Sequence, residues 1–283
     1  MAFDDLDIDW DYLLERLERL IDLGEARLSR SFDEENIDSE LFAGAAAFYW
    51  QGDGLRPLLD VDLLPLDQLV GMERQCTSIE KNTAHFVSAV PAHHVLIRGG
   101  RGLGKTALVR GLLPRFVPQG LRMVEVRTGQ LHHLEALVRW LQEIPLYFVV
   151  LCEDIEPAAN PEGYQSLLAV LNRGLIGCPD NVRLYATMTD EAAEALTHGR
   201  GEDYFGLWLD VPQLDESAYL QVVANLVASY GCGVLDAAVQ QAALRWAEQR
   251  HGFSGLTAEQ FAVHYCAERS MLLAQQQEEA PAD

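Results

Sequence analysis

From Val95 to Val211, short apolar runs alternate with longer amphipathic stretches, the pattern of a parallel sheet covered by helices on both faces. Strands are expected at His94–Arg98, Leu121–Arg127, Tyr147–Cys152, Val182–Thr187 and Leu207–Val211, with helices beginning near Lys105, His132, Glu162 and Glu191. After Pro212 the strand pattern stops. Asp215–Tyr230, Leu235–Arg250 and Thr257 to Leu273 read as three helices, with Asp215 and Thr257 as opening caps. Upstream, Leu13, Leu17, Leu20 and Ile21 recur at helical spacing over an otherwise acidic stretch. Leu41–Trp50 (LFAGAAAFYW) reads as a further short helix, and Gly52–Pro65, rich in Gly, Pro and Asp, as a linker. The expected division is an acidic helical region over 1–64, an α/β core over 65–212, a helical unit over 213–273 and a disordered tail over 274–283.

Composition adds few surprises beyond charge. The chain has 283 residues and 49% hydrophobic content, enough to bury a sizeable core. The apolar run Ile144–Cys152 falls well short of the roughly 18 residues a membrane helix needs. An acidic start without a basic, apolar leader, and five scattered cysteines without a CxxC pair, favour reduced thiols and a cytoplasmic location. The formal net charge of -22 argues against general nucleic-acid binding, because such a surface repels a phosphate backbone. Yet Arg98, Arg101, Lys105, Arg110, Arg115, Arg122 and Arg127 cluster between Val95 and Arg127, with Glu125 the lone acid among them. Such an island fits either a locally held anion or a solvated helix face.

Inside that island, Gly99-Gly100-Arg101-Gly102-Leu103-Gly104-Lys105-Thr106 matches G-x-x-x-x-G-K-[ST] at every fixed position. The glycines let the backbone curl so that successive N–H groups face phosphate oxygens, and the following helix, from Ala107 on, offers its positive end to the same anion. Lys105 is expected on the β- and γ-phosphates and Thr106 on Mg²⁺. A strand immediately before (VLIR) and a helix immediately after supply the required context. The chain has only two lysines, Lys81 and Lys105, so a lysine at this position carries weight.

The apolar strand Tyr147–Cys152 ends in Glu153-Asp154, the Walker B pattern in reversed order. Glu153 is assigned to the metal and Asp154 to polarising the attacking water, with Glu156 as a substitute for the latter. Thr187 and Thr189, at and after the end of the fourth strand, are placed to contact the γ-phosphate or position water. Thr189 is the candidate carried forward as catalytic. The histidine pairs His93-His94 and His132-His133 have no partners at metal-ligand spacing and read as turn or surface residues.

The order of P-loop unit, acidic third strand, polar fourth-strand end and helical lid resembles the AAA+ ATPases. The segment Leu69-Val70-Gly71-Met72-Glu73-Arg74-Gln75 resembles the stretch that lines their adenine pocket, which implies Val70 and Gly71 as base contacts. More closely, the P-loop with its strand, LRMVEVR, FVVLCEDI, PDNVRLYATMT and YFGLWLDVPQLDESAYL resemble domain-of-unknown-function family 815 over roughly residues 55 to 265. The resemblance implies a three-layer P-loop NTPase fold with strand order 5-1-4-3-2, ATP or ADP as ligand, Mg²⁺, and a C-terminal helical lid. Three family positions differ. Thr189 stands for the Asn of Thr-Ser-Asn, Tyr204 for the arginine before Phe-Gly-Leu-Trp, and Leu256 for the arginine of Ser-Gly-Arg. If those arginines act as finger and second sensor, turnover here is expected to be slow. The leading reading is therefore a Mg-dependent ATPase that couples nucleotide state to lid closure and to a protein partner or self-association. The alternative is a nucleotide-dependent adaptor that binds ATP with little hydrolysis; a small-molecule P-loop kinase ranks third.

Overall fold

The computed structural model describes residues 41–52, 54–59, 61, 63–172, 178–196, 204–250 and 252–278. Contacts divide the chain into two units, Met1–Ala45 and Ala46–Asp283. In the first unit only residues 41–45 are described, 41–44 as a helical turn. The expected helix around Leu13–Ile21 lies outside the described residues.

The second unit is built on seven strands: β1 Ala47–Trp50, β2 Leu55–Leu58, β3 Val95–Arg98, β4 Leu121–Val126, β5 Tyr147–Cys152, β6 Val182–Met188 and β7 Leu207–Asp210. They lie in the order β2-β1-β4-β5-β6-β3-β7. The five strands read from the sequence thus occur in the order 5-1-4-3-2, and two more extend the sheet beyond β4. Every pairing is parallel except β1 with β2.

The added strands correct two sequence expectations. Ala47–Trp50 is not the end of a helix, and the stretch after Gly52 is not only a linker. The run Ala45-Ala46-Ala47 carries helical propensity, but Phe48, Tyr49 and Trp50 favour an extended backbone, and pairing with β4 decides the conflict. Phe48 lies fully buried in the sheet, opposite Val124. Pro57 is tolerated in β2 because that strand forms the sheet edge, where a missing N–H costs no ladder bond.

Helices α1 Glu73–Val87, α2 Lys105–Arg110, α3 Leu113–Phe116, α4 Leu134–Gln142, α5 Pro161–Leu171 and α6 Asp190–Leu196 accompany the sheet. In α4, Leu134, Leu137, Val138 and Leu141 recur at helical spacing and are the residues it buries. A polar tie fixes the lower rim of the sheet. The fully buried Tyr185 hydroxyl meets Thr83 at 2.8 Å and Asn82 at 3.1 Å, and Asn82 in turn clasps the backbone of His93.

The lid comprises α7 Glu216–Ser229, α8 Ala237–Glu248 and α9 Gly255–Glu278. It has its own core around Tyr219, Val223, Val227, Ala243, Phe261 and Ala262. Asp215 caps α7 as expected, accepting from the Ala218 amide at 2.7 Å. The cap of α9 is Ser254 rather than Thr257: its hydroxyl accepts the Thr257 amide at 3.1 Å, so the helix starts earlier. The helix also continues to Glu278, into the stretch expected to be a disordered tail. Gln and Glu are good helix formers and propagate it.

Candidate functional site

Parallel pairing brings the carboxyl ends of the central strands to one rim, where ligands of open α/β sheets collect. Register aligns Arg98 with both Met188 and Asp210, and Cys152 with Val126 and Ala186. The segments that follow, Gly99–Thr106, Glu153–Glu156 and Thr187–Thr189, therefore converge.

The phosphate loop turns as its glycines permit. Gly99, Gly102 and Gly104 have φ of 150°, 74° and 93°, values that L side chains rarely adopt. Leu103 tucks into the core, Gly100 lies against its side chain, and α2 then opens at Lys105 with Thr106 and Ala107 in its first turn. The Lys105 ammonium is buried and donates to the carbonyls of Gly99 at 2.8 Å and Gly100 at 2.9 Å. Burial lowers its pKa, while Asp154, Asp190 and Glu191 pull the other way. Arg101 points outward, its guanidinium 3.2 Å from Glu156.

The acids after β5 are held by backbone and side-chain contacts. The Thr106 side chain lies close enough to Glu153 to favour its charged form, so the two residues assigned to the metal are neighbours. Burial pushes the Glu153 pKa up, reinforced by Glu125 and opposed by Thr106 and Arg110. A site of one hydroxyl and one carboxylate suits Mg²⁺, which keeps waters and takes its remaining ligands from phosphates. Asp154 adopts φ 45°, left-handed for a non-glycine residue. Thr187 and Thr128 pin it there. The Thr187 hydroxyl accepts the Asp154 amide at 2.9 Å, and the Thr128 hydroxyl donates to the carbonyls of Glu153 and Asp154, each at 3.0 Å.

Thr189 is buried beside the loop but is engaged as a helix cap, its hydroxyl accepting the Ala192 amide at 3.2 Å. Of the two threonines, Thr187 is the one bonded to the Walker B segment. Val70 and Gly71 precede Met72, whose methyl lies 3.1 Å from where a Cβ on Gly104 would stand. Gly71 likewise faces Leu214 at the root of the lid, so the segment 70–72 sits where loop and lid meet. From the lid, the Leu256 amide donates to the Gly102 carbonyl at 3.2 Å. The position that carries an arginine in the resembled family thus lies on the phosphate loop, but with an apolar side chain.

Sequence reasoning placed Arg110 and Glu125 in the basic island without pairing them, and passed over Thr128. Arg110 bonds Glu125 at 3.0 Å and lies 3.8 Å from Glu153. The signal for this cluster was Glu125 itself, the one acid in a basic stretch and inside an apolar strand.

The family model described as Protein of unknown function (DUF815) matches residues 43–192 and 200–269. The chain belongs to the DUF815 family. No curated protein matches this DUF815 chain. Among solved structures it is similar to the Thermotoga maritima RuvB Holliday junction branch migration motor, at 16% identity and TM-score 0.53, over 75% of this chain and 66% of that one. It is also similar to the Aeropyrum pernix Orc1 protein in complex with DNA, at 17% identity and TM-score 0.56, over 76% and 63%. A third likeness is to Hsp104 in its closed state with ATPγS and casein, at 16% identity and TM-score 0.54, over 71% and 38%. At these identities the likeness is one of fold, and the DUF815 chain spans less than two thirds of each of these neighbours. The fold is that of the AAA+-like P-loop ATPases.

Proposed function

We propose that this chain binds ATP with Mg²⁺ on the loop Gly99–Thr106 and is an AAA+-like ATPase with slow intrinsic turnover. The observation that supports this reading is the loop itself: Lys105 folds onto the Gly99 and Gly100 carbonyls within a turn of left-handed glycines, and Thr187 and Thr128 fix the acids that follow the neighbouring strand. The loop amides from Gly100 to Lys105 bind and neutralise phosphate oxygens, and the Lys105 ammonium serves the β- and γ-phosphates. Thr106 and Glu153 would hold the metal, which supplies charge neutralisation at the transferring phosphoryl group. Asp154, fixed by Thr187 and Thr128, orients water and accepts its proton. Val70 and Gly71 contact the base, and Thr189 shapes the γ-phosphate end of the site.

Slow turnover follows from Leu256 and Tyr204, which stand where arginines are expected. An arginine finger is worth about 10³–10⁵ in rate. Because Leu256 touches Gly102, the lid senses the loop through its backbone, and nucleotide state is coupled to lid position and through it to a partner protein or a second copy. A cytoplasmic location fits five cysteines that form no disulfide among the described residues. Among the described residues no helix is long and apolar enough to cross a membrane. A second reading is favoured by the same Leu256: a nucleotide-dependent adaptor that reports the bound state and hardly hydrolyses.

Two measurements separate these. Lys105→Ala is expected to abolish nucleotide binding in a fluorescent-ATP titration. Phosphate release by wild type should be slow and lost in Asp154→Ala. Binding without any wild-type turnover selects the adaptor; binding that survives Lys105→Ala overturns both readings.

A further inference from the structure

Two carboxylates approach each other beneath the phosphate loop. Glu125 sits within β4, between Tyr49 of β1 and Leu151 of β5, and is buried. Glu153 follows the neighbouring strand, and the two acids repel one another. The group between them is Arg110, four residues after Thr106 in α2 and therefore on the same helix face. Its Nη2 lies 3.0 Å from Glu125 Oε2 and 3.8 Å from Glu153 Oε1. On the far side of Glu125, Arg127 Nε stands 3.6 Å from Oε1.

We propose that Arg110 is a positioning residue for the magnesium site: anchored on Glu125, it holds one oxygen of Glu153 so that the other is presented to Thr106 and the metal. The two distances divide the labour. The contact to Glu125 is a direct hydrogen bond and fixes the guanidinium. The longer contact to Glu153 orients the carboxylate by charge without tying up its lone pairs. Partners of this kind set the orientation of metal-binding groups, and their loss typically weakens metal affinity about 10–100-fold. Arginine suits the task better than lysine because its planar fork is directed and stays charged. The alternative is that Arg110 only neutralises the buried Glu125.

The inference rests on the nucleotide-binding reading above, and the test separates the two. Binding of a fluorescent ATP analogue is measured in chelator and then as a function of Mg²⁺. Wild type should bind, with Mg²⁺ tightening the complex. Arg110→Ala should bind as wild type in chelator but need about tenfold more Mg²⁺ for the half-maximal effect. Arg110→Lys should recover part of that loss. The pair Glu125→Gln with Arg110→Met removes both charges, which keeps the fold testable if Arg110→Ala alone leaves an unpaired buried acid and unfolds. If Arg110 positions Glu153, the pair keeps the weakened Mg²⁺ response. A wild-type Mg²⁺ response in the pair, or equal losses with and without Mg²⁺ in Arg110→Ala, overturns the proposal. Absence of nucleotide binding by wild type would instead remove the reading on which it stands.

Discussion

Asp154, the residue proposed to orient water, adopts a backbone conformation that most residues avoid. A left-handed φ costs a residue with a Cβ about 1–2 kcal/mol, and Asp is among the types that tolerate it. Thr187 and Thr128 offset that cost with three hydrogen bonds to residues 153 and 154. The consequence is measurable. Asp154→Gly and Asp154→Ala both remove the carboxylate, but only Ala keeps a strained backbone. Denaturant unfolding should find the Gly variant more stable than the Ala variant by about 1 kcal/mol, with phosphate release abolished in both. Equal stability would mean the turn is not strained as drawn. At this scale the sequence was informative wherever chemistry dictates spacing. The turn at Gly99–Thr106 can be read directly because its glycines fall where the backbone needs them, and the acids at Glu153-Asp154 because they end an apolar strand. Arg110 could not be read, since its partners come from β4 and β5 and meet it only once the strand order is known. The capping contact of Thr189 was likewise unreadable, because the amide its hydroxyl accepts is known only once α6 is placed.

Among elements, the five central strands were legible because each is a short apolar run bounded by turns, and α4 because its apolar spacing is regular. The pair β1 and β2 was not, since alanines adjoin the aromatic residues and short apolar runs are ambiguous between helix and strand. Only the free edge of β4 resolves the ambiguity, and that edge is a tertiary fact. If β1 is an integral strand, Phe48 should behave as a core residue. Phe48→Ala is expected to destabilise the protein by about 3–5 kcal/mol in a denaturant titration. A loss below about 1 kcal/mol would make β1 and β2 a peripheral ornament on a sheet that ends at β4. The lid raises a related point. Its three helices could be read from the sequence, but its contact with the loop, Leu256 to Gly102, runs through backbone atoms and leaves no mark in residue types.

For the whole molecule, charge decides between partners that the fold alone would allow. One structural neighbour is solved with DNA and another is a Holliday junction motor, yet those are properties of those proteins. Here the formal net charge is -22, and the basic island near the loop is largely spoken for. Arg98 pairs with Asp210, Arg101 with Glu156, Arg110 with Glu125, Arg115 with Glu80 and Arg127 with Glu125. Lys105 is folded into the loop. Affinity for duplex DNA comes chiefly from cations that displace counterions from phosphates, giving non-specific dissociation constants of about 10⁻⁴–10⁻⁶ M and a steep salt dependence. An island whose arginines already pair with the chain's own acids has few to give, and the net field of the chain repels the duplex. Fluorescence anisotropy with a short labelled duplex should therefore show no saturable binding at about 10 µM protein near physiological salt, and no recovery as salt is lowered. Micromolar binding with a strong salt slope would instead mean that residues beyond the paired arginines form a phosphate-binding face, and would move this protein's partner from another polypeptide to nucleic acid.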